Sequence, residues 1–304
     1  MLHPQAVPLP PVAVHLDTPS VARVHDYYLG GTTNWAVDRD FGDQVLNRFP
    51  LMRRIAIVNR LFLNRVVRHL MNRGVRQFLD VGSGVLTAGA THHVADELAV
   101  QQDRRPDAHV VYVDNDPVAV AHAELLLDSE GDPRRQAVVE ADLRDPYDLW
   151  RRVLDTELLD PDQPVALLLV SVLHLQQLDF SGAEIGAESV ARLRDLLPAG
   201  SFVAVSHTTD DGVSAEAGDT LAGLKRFYNT SGAASVRWRS RAEIAELLGD
   251  LRMLDPGWTW AAAWHPEDTG PTAPRVEFLP GQHVSGGAQR PMDAVIWSGV
   301  AEKW

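Results

Sequence analysis

Cysteine is absent from the 304-residue chain, which excludes disulfides, thiolate metal sites and a cysteine nucleophile. Lysine is almost absent: Lys225 and Lys303 stand against twenty-six arginines, a bias that bears on genome composition and not on mechanism. Long apolar runs are missing too. The longest, Val165 to Leu173 with Ser171 inside it, is far too short to span a bilayer. No lysine or arginine precedes Arg23, and the first residues are rich in proline, so the N-terminus does not read as a signal peptide. These absences lead to the expectation of a cytoplasmic protein with no membrane partner. The formal charge of −13 repels polyphosphate, and a nucleic-acid partner would need a local basic face to overcome it. The candidate for such a face is the run Arg53, Arg54, Arg60, Arg65, Arg68, Arg73 and Arg76. Its arginines alternate with apolar residues at helical spacing, so a solvated helix face is the favoured reading and no nucleic-acid partner is expected. With 45% apolar and 23% charged residues, the chain can build a sizeable core.

Two regions differ in pattern. Residues 1–74 begin with a loose arm (1–16) and continue as helices without strand signals. A first helix starts at Asp17 or Thr18 with Pro19 in its first turn, and Gly30-Gly31 ends it. A second runs from Asn34 to Arg48, and a third from Leu51 to Arg73. From residue 75 to 304 the chain alternates between strands and helices. Strand-like runs occupy 75–81, 109–113, 136–141, 165–172 and 201–206, with helices at 87–100, 117–128, 146–158 and 182–197. Strands apolar nearly throughout, joined by helices, indicate a doubly wound parallel α/β sheet covered on both faces. Beyond Thr208 the pattern weakens. Ser240 to Glu243 form a capping box, 257–264 and 293–300 suggest a final strand pair, and 265–291 reads as a long loop.

The most informative segment is Phe78 to Thr87, a strand that runs into Gly82-Ser83-Gly84 and then a helix. Glycines let the backbone approach a ligand closely, and a helix N-terminus offers unpaired N–H groups. Asp80 argues against a dinucleotide, because a carboxylate there would repel pyrophosphate; it suits the cationic amino end of S-adenosylmethionine. The third glycine of the dinucleotide fingerprint is missing, Leu86-Thr87 standing in that region. Asp114, with Asn115 after it, ends the next strand and is placed to accept both ribose hydroxyls. Asp142 stands at the tip of the third strand, where it would accept from an adenine amino group while Leu143 packs on the ring. Asp145 and Asp116 read as caps ahead of Pro146 and Pro117. Three acids at successive strand tips line the edge where open α/β sheets bind ligands.

From Phe78 onward this arrangement resembles the class I S-adenosylmethionine-dependent methyltransferases. More narrowly, the chain resembles the actinobacterial S-adenosyl methyltransferases, formerly a domain of unknown function. That likeness rests on Ala22 to Arg39, Phe78 to Thr87, Tyr112 to Pro117, Ala141 to Pro146, Val165 to Leu175 and Leu193 to His207. The sequence departs from the group at His25, Tyr28, Thr32 and Thr33. The resemblance implies a Rossmann-like sheet of seven strands, the last antiparallel, with residues 1–74 forming an arm and a helical lid over the cofactor. It also implies a cofactor set of Arg23, Tyr27, Tyr28, Asn34, Asp80, Gly82, Ser83, Gly84, Thr87, Asp114, Asn115, Asp142, Leu143 and Ser171, with Arg23 or Arg39 near the cofactor carboxylate. S-adenosylhomocysteine would be the product.

An in-line methyl transfer gains chiefly from alignment and water exclusion. Where a base is needed, His174 after the fourth strand and His207 at the end of the fifth are the candidates, since imidazole titrates near neutrality. His92-His93 read as non-ligands, and no metal is expected. The favoured function is methylation of a small molecule; a non-catalytic regulator that binds S-adenosylmethionine or its product is the alternative. A homodimer is compatible with either.

Overall fold

The structure is a computed structural model that describes residues 17–86, 89–268, 270 and 295–304. Its centre is a mostly parallel sheet. Strands β1 (Gln77–Val81), β2 (His109–Asp114), β3 (Gln136–Glu140), β4 (Val165–Val170) and β5 (Phe202–Thr208) are parallel, while β6 (Arg252–Met253), β7 (Thr259–Trp260) and β8 (Ile296–Glu302) join antiparallel. The order is β3-β2-β1-β4-β5-β8-β6, with the short β7 beside β8. The sheet has the expected mostly parallel, Rossmann-like build with β8 antiparallel, and it counts eight strands because two two-residue strands, β6 and β7, share the edge of β8 away from β5.

Alternation along each strand divides the core into two layers. Phe78, Ala166, Leu168, Phe202 and Ala204 face one side, and Leu79, Leu167, Leu169, Val203 and Val205 the other. The first side is covered by α3 (Leu51–Asn72), α4 (Thr91–Gln101), α5 (Pro117–Glu130) and α8 (Ala215–Ser231). The second is covered by α6 (Pro146–Leu154), α7 (Gly186–Leu196) and α9 (Arg241–Glu246). Proline-headed caps start α5 and α6: the Asp116 carboxylate accepts from the Val118 N–H and Asp145 from the Asp148 N–H. The Ser240–Glu243 capping box starts α9 as expected. Helix α8 is absent from the sequence reading, because its apolar residues are diluted by Gly218, Asp219, Thr220 and Gly223.

Helices α1 (Val21–Tyr28) and α2 (Ala36–Arg48) precede this layer. The joint between them explains the Gly-Gly signature. Gly30 takes φ +81°, and a Cβ on Gly31 would lie 1.8 Å from Asp26 Oδ1. The other oxygen of that carboxylate accepts from Asn34 Nδ2 at 2.8 Å, which in turn donates to the Gly31 carbonyl. The α1 start is one turn-edge later than expected, at Ser20. Helix α3 is not a solvated basic face. Arg65 is buried and donates to the Ala261 carbonyl, and Arg68 pairs with Glu97; beyond the helix, Arg76 pairs with Asp107. Arg60 is 8% exposed and shares a stripe with buried Ala56, Leu63 and Val67. Among the described residues no helix is long and apolar enough to cross a membrane. Of the 265–291 loop only 265–268 and 270 lie within the described residues.

Candidate functional site

A cleft of about 530 Å³ lies along the carboxyl ends of β1, β2 and β4, where the strand order reverses direction. Its floor is the β1 turn. Gly82 has φ +72°, and a Cβ there would sit 2.5 Å from Val172 Cγ2; Gly84 has φ +62°. Both conformations favour glycine. The N–H groups of Gly82, Ser83 and Gly84 are already engaged within the protein. Gly82 and Ser83 both donate to the Val113 carbonyl, Gly84 donates to Asp114, and the next helix starts only at Thr91. Thr87 lies outside the described residues.

Asp114 is the best-defined acid of the site. Its two oxygens accept one N–H each, from Gly84 at 2.7 Å and Asp116 at 2.9 Å. Burial pushes its carboxyl up to about 6, against the downward pull of those N–H groups. Asn115 and Leu143 also line the cleft. Asp142 does not. Its carboxylate is taken by the Arg144 side chain and backbone and by Asn115 Nδ2 at 3.3 Å, so Arg144, rather than Asp142, borders the cleft. Asp80 lines the floor and accepts from Thr91 Oγ1 at 2.7 Å, its carboxyl raised by burial.

The N-terminal part of α1 crosses the cleft: Thr18 to Arg23 and His25 line it, and Ser20 Oγ donates to Asp116 at 2.6 Å. Arg23 is there, but its guanidinium is committed to Asp38 at 2.6 Å and stacks 3.9 Å from the Trp35 ring. The expected aromatic and amide contacts are not at the cleft. Tyr27 donates to Asp43 on the surface, Tyr28 shares a hydrogen bond with Tyr228 in the core, and Asn34 holds the helix joint. Arg39 is spent on Asn34. Besides Arg23 and Arg144, which are paired with Asp38 and Asp142, the cleft is lined by Arg60, which the sequence places on a solvent face. No hydrogen bond or ion pair engages its guanidinium among the described residues, although Asp80 and Asp26 lie near enough to favour its charge. The available signal was an arginine standing in an apolar stripe of α3.

The far wall comes from the end of β4 and the segment after it. Ser171 has φ +66° and lines the cleft. Its N–H donates to Ser206 Oγ, which donates to Asn59 Oδ1 at 2.6 Å, so α3 and β5 together hold this strained tip. The two candidate histidines separate. His207 is fully buried, faces neither cavity, and has both ring nitrogens occupied. Nδ1 meets only the Thr208 carbonyl at 2.6 Å and therefore donates, leaving Nε2 to accept from Arg239 at 2.9 Å. Burial and the His174 and Arg239 charges hold it down to about 3. His207 is a structural residue. His174 lines the cleft and keeps Nδ1 buried without a partner; burial and Arg239 lower it to about 4. His25 was not singled out for the site, yet it lines the cleft with its Nε2 buried and unpartnered, and is lowered to about 3 by burial, Arg60 and His174. Away from the cleft, His69, His265 and Asp268 bring ligand atoms within 4.8 Å, but His265 already uses both nitrogens on Glu267 and the Asp255 carbonyl.

A family model described as S-adenosyl methyltransferase matches residues 10–304. The chain is similar to a methyltransferase candidate from Thermobifida fusca YX, with 31% identity, TM-score 0.73, and 95% of this chain and 96% of that one covered. It is also similar to a DUF574 family protein from Streptomyces avermitilis MA-4680, with 30% identity, TM-score 0.75, and coverage of 94% and 98%. No protein of curated function matches in sequence. A cleft at the reversal point of the sheet, bordered by Asp114 and Arg60, thus occurs in a chain that matches this family along nearly its whole length: it belongs to the S-adenosyl methyltransferase family and is a methyltransferase dependent on S-adenosylmethionine.

Proposed function

We propose that this methyltransferase acts on a small molecule, with the methyl donor held along the carboxyl edge of the sheet between Asp114 and Arg60. The observation that carries the reading is that one cleft holds both an acid with acceptor capacity to spare, Asp114, and a cation without a partner among the described residues, Arg60. Each Asp114 oxygen accepts a single N–H and has capacity for one hydroxyl more, which matches a ribose diol. Arg60 has a buried guanidinium with no partner among the described residues, which matches the donor's carboxylate, while Asp80 at the floor suits its ammonium group. Gly82 and Gly84 keep the turn free of side chains where the donor must pass. When bound, S-adenosylmethionine supplies a methyl group on a sulfonium, whose sulfur leaves without needing a proton. The protein's own part is to orient and to exclude water: α1 roofs the cleft, and the Ser171–Ser206–Asn59 chain fixes its far wall.

A small acceptor is favoured over nucleic acid by the net charge of −13 and by the engagement of the α3 residues Arg65 and Arg68 within the protein. Calorimetric titration tests the reading. S-adenosylmethionine and S-adenosylhomocysteine are expected to bind and NAD is not; NAD heat without adenosylmethionine heat would sink it. Asp114→Ala is expected to weaken donor binding at least tenfold, since hydrogen bonds to a charged group contribute about 1.5–3 kcal/mol. The hydroxyls need the ionised carboxylate, so affinity should hold above pH 6 and fall as the pH drops through about 6.

A further inference from the structure

Away from the cleft, α3 carries a second group of chemically capable side chains. His69, near its end, meets His265 and Asp268 in the turn after Trp264, and their ligand atoms lie within 4.8 Å of one another. None of the three lines the cleft. His69 stands nine residues past Arg60, roughly 13 Å along the helix at 1.5 Å per residue, so this is a separate place in the fold. The sequence reading expects no metal, because the two histidines are far apart along the chain.

The rings are held from below. Trp264, fully buried, stands edge-on to His69 at 5.4 Å and to His265 at 4.6 Å, and the two imidazoles stack with centroids 4.5 Å apart. His265 takes φ +41°, a left-handed conformation rare outside glycine, and strain of this kind gathers at ligand clamps. Its Nε2 lies 2.8 Å from the Asp255 carbonyl, which only accepts, so Nε2 carries a hydrogen. Metal-ligating histidines are commonly fixed in this way, one nitrogen donating to a carbonyl while the other presents its lone pair. Here the other nitrogen, Nδ1, faces a Glu267 oxygen at 2.8 Å, and His69 Nδ1 faces Asp268 Oδ2 at 3.4 Å. An ionised carboxylate also only accepts. Protons fill both contacts only by stacking one imidazolium on another, whereas a single divalent cation fills both at once.

We propose that His69, His265, Asp268 and Glu267 form a binding site for a divalent transition-metal cation of the zinc type, which ties the end of α3 to the 265–268 turn. Two imidazoles with two carboxylates suit zinc and its neighbours in the first transition row, whereas magnesium prefers oxygen ligands and keeps its waters. Ligand atoms around tetrahedral zinc stand roughly 3.3 Å apart, so the present spread is within reach of small side-chain rotations. His69, His265 and Asp268 are half-buried and Glu267 is exposed, which gives the ion a path in.

The test uses the full chain, freed of metal with EDTA, dialysed, and titrated by calorimetry with zinc chloride and, separately, magnesium chloride. One zinc per chain is expected to bind at micromolar concentration or below, and magnesium is expected to give no heat. Zinc should also raise the thermal unfolding midpoint. His69→Gln should abolish both effects. Should that variant fail to fold, since its ring packs on Trp264, Asp268→Asn and Glu267→Gln carry the comparison from the surface, each weakening zinc binding at least tenfold, or ~1.4 kcal/mol. His93→Gln removes a half-buried histidine of α4 beside Glu130 and should leave zinc affinity unchanged. Absence of zinc binding overturns the site, as does a loss in His93→Gln equal to that in the ligand variants. Magnesium binding as tightly as zinc overturns the metal class. Unchanged affinity in both acid variants overturns the ligand set.

Discussion

The two ends of the cleft are built on different scales. At the β1–β2 end the donor cradle is made of backbone and of residues close in sequence: Gly82, Gly84 and Asp114 span little more than thirty positions. At the β4 end the walls come from α1, α3, α8 and two loops, and their polar atoms belong to side chains brought together from across the chain. The first end can be recognised wherever its motif occurs. The second exists only once the fold has formed.

Perturbing the backbone-built end should have the largest effect. Gly82→Ala adds a Cβ 2.5 Å from Val172 Cγ2 at a φ of +72°, a strain of order 1–3 kcal/mol before any lost contact. Donor binding should fall more than a hundredfold by calorimetry, and retention of affinity would show that the turn is not the cradle. Next, His207→Gln and His174→Gln should separate stability from activity. The first removes two satisfied buried contacts and should cost about 2 kcal/mol in denaturant unfolding. The second should leave the midpoint nearly unchanged and lower kcat/KM once an acceptor is found. Equal destabilisation by both would erase the distinction drawn between them. Arg60→Gln is expected to cost donor binding about tenfold, or ~1.4 kcal/mol, while Arg39→Gln leaves it unchanged. A loss at Arg39 and none at Arg60 would reverse the assignment of the carboxylate. Smallest of all, Tyr27→Phe removes one exposed hydrogen bond to Asp43 and should move stability by less than about 0.5 kcal/mol with no change in donor affinity.

Legibility in the sequence follows the same division of scale. The parallel sheet could be read because β1, β2, β4 and β5 are apolar on both faces, and Asp114 because a strand-tip acid follows directly on a glycine turn. Asp142 was misplaced for want of competition: Arg144 is only two positions away, but which partner takes a carboxylate is settled by the bend of the chain after β3. Arg60 was hidden by its neighbours. A helical period locates α3, whereas the burial of one arginine depends on which stripe of that helix meets the cleft. The Tyr27-Tyr28 pair and Asn34 form part of a recognisable signature, yet their local chemistry serves the joint between α1 and α2 and the core below it. A signature of this kind can mark a fold requirement as readily as a ligand contact. His25 was marked only as a departure from the family pattern, since an isolated histidine in an amphipathic helix has no sequence mark of an unpartnered nitrogen.

The hydrogen bond between Tyr28 and Tyr228 has a consequence for how the molecule comes together. It joins side chains 200 positions apart, whereas the bond from Gly84 to Asp114 spans 30. Closing a long loop carries more entropy cost than closing a short one, and contacts of wide sequence separation form slowly. During synthesis the glycine turn and Asp114 leave the ribosome well before α8 exists. The chain is therefore expected to form its glycine turn early and the Tyr28–Tyr228 contact last, so the wall that α8 contributes would be the final part of the molecule to mature.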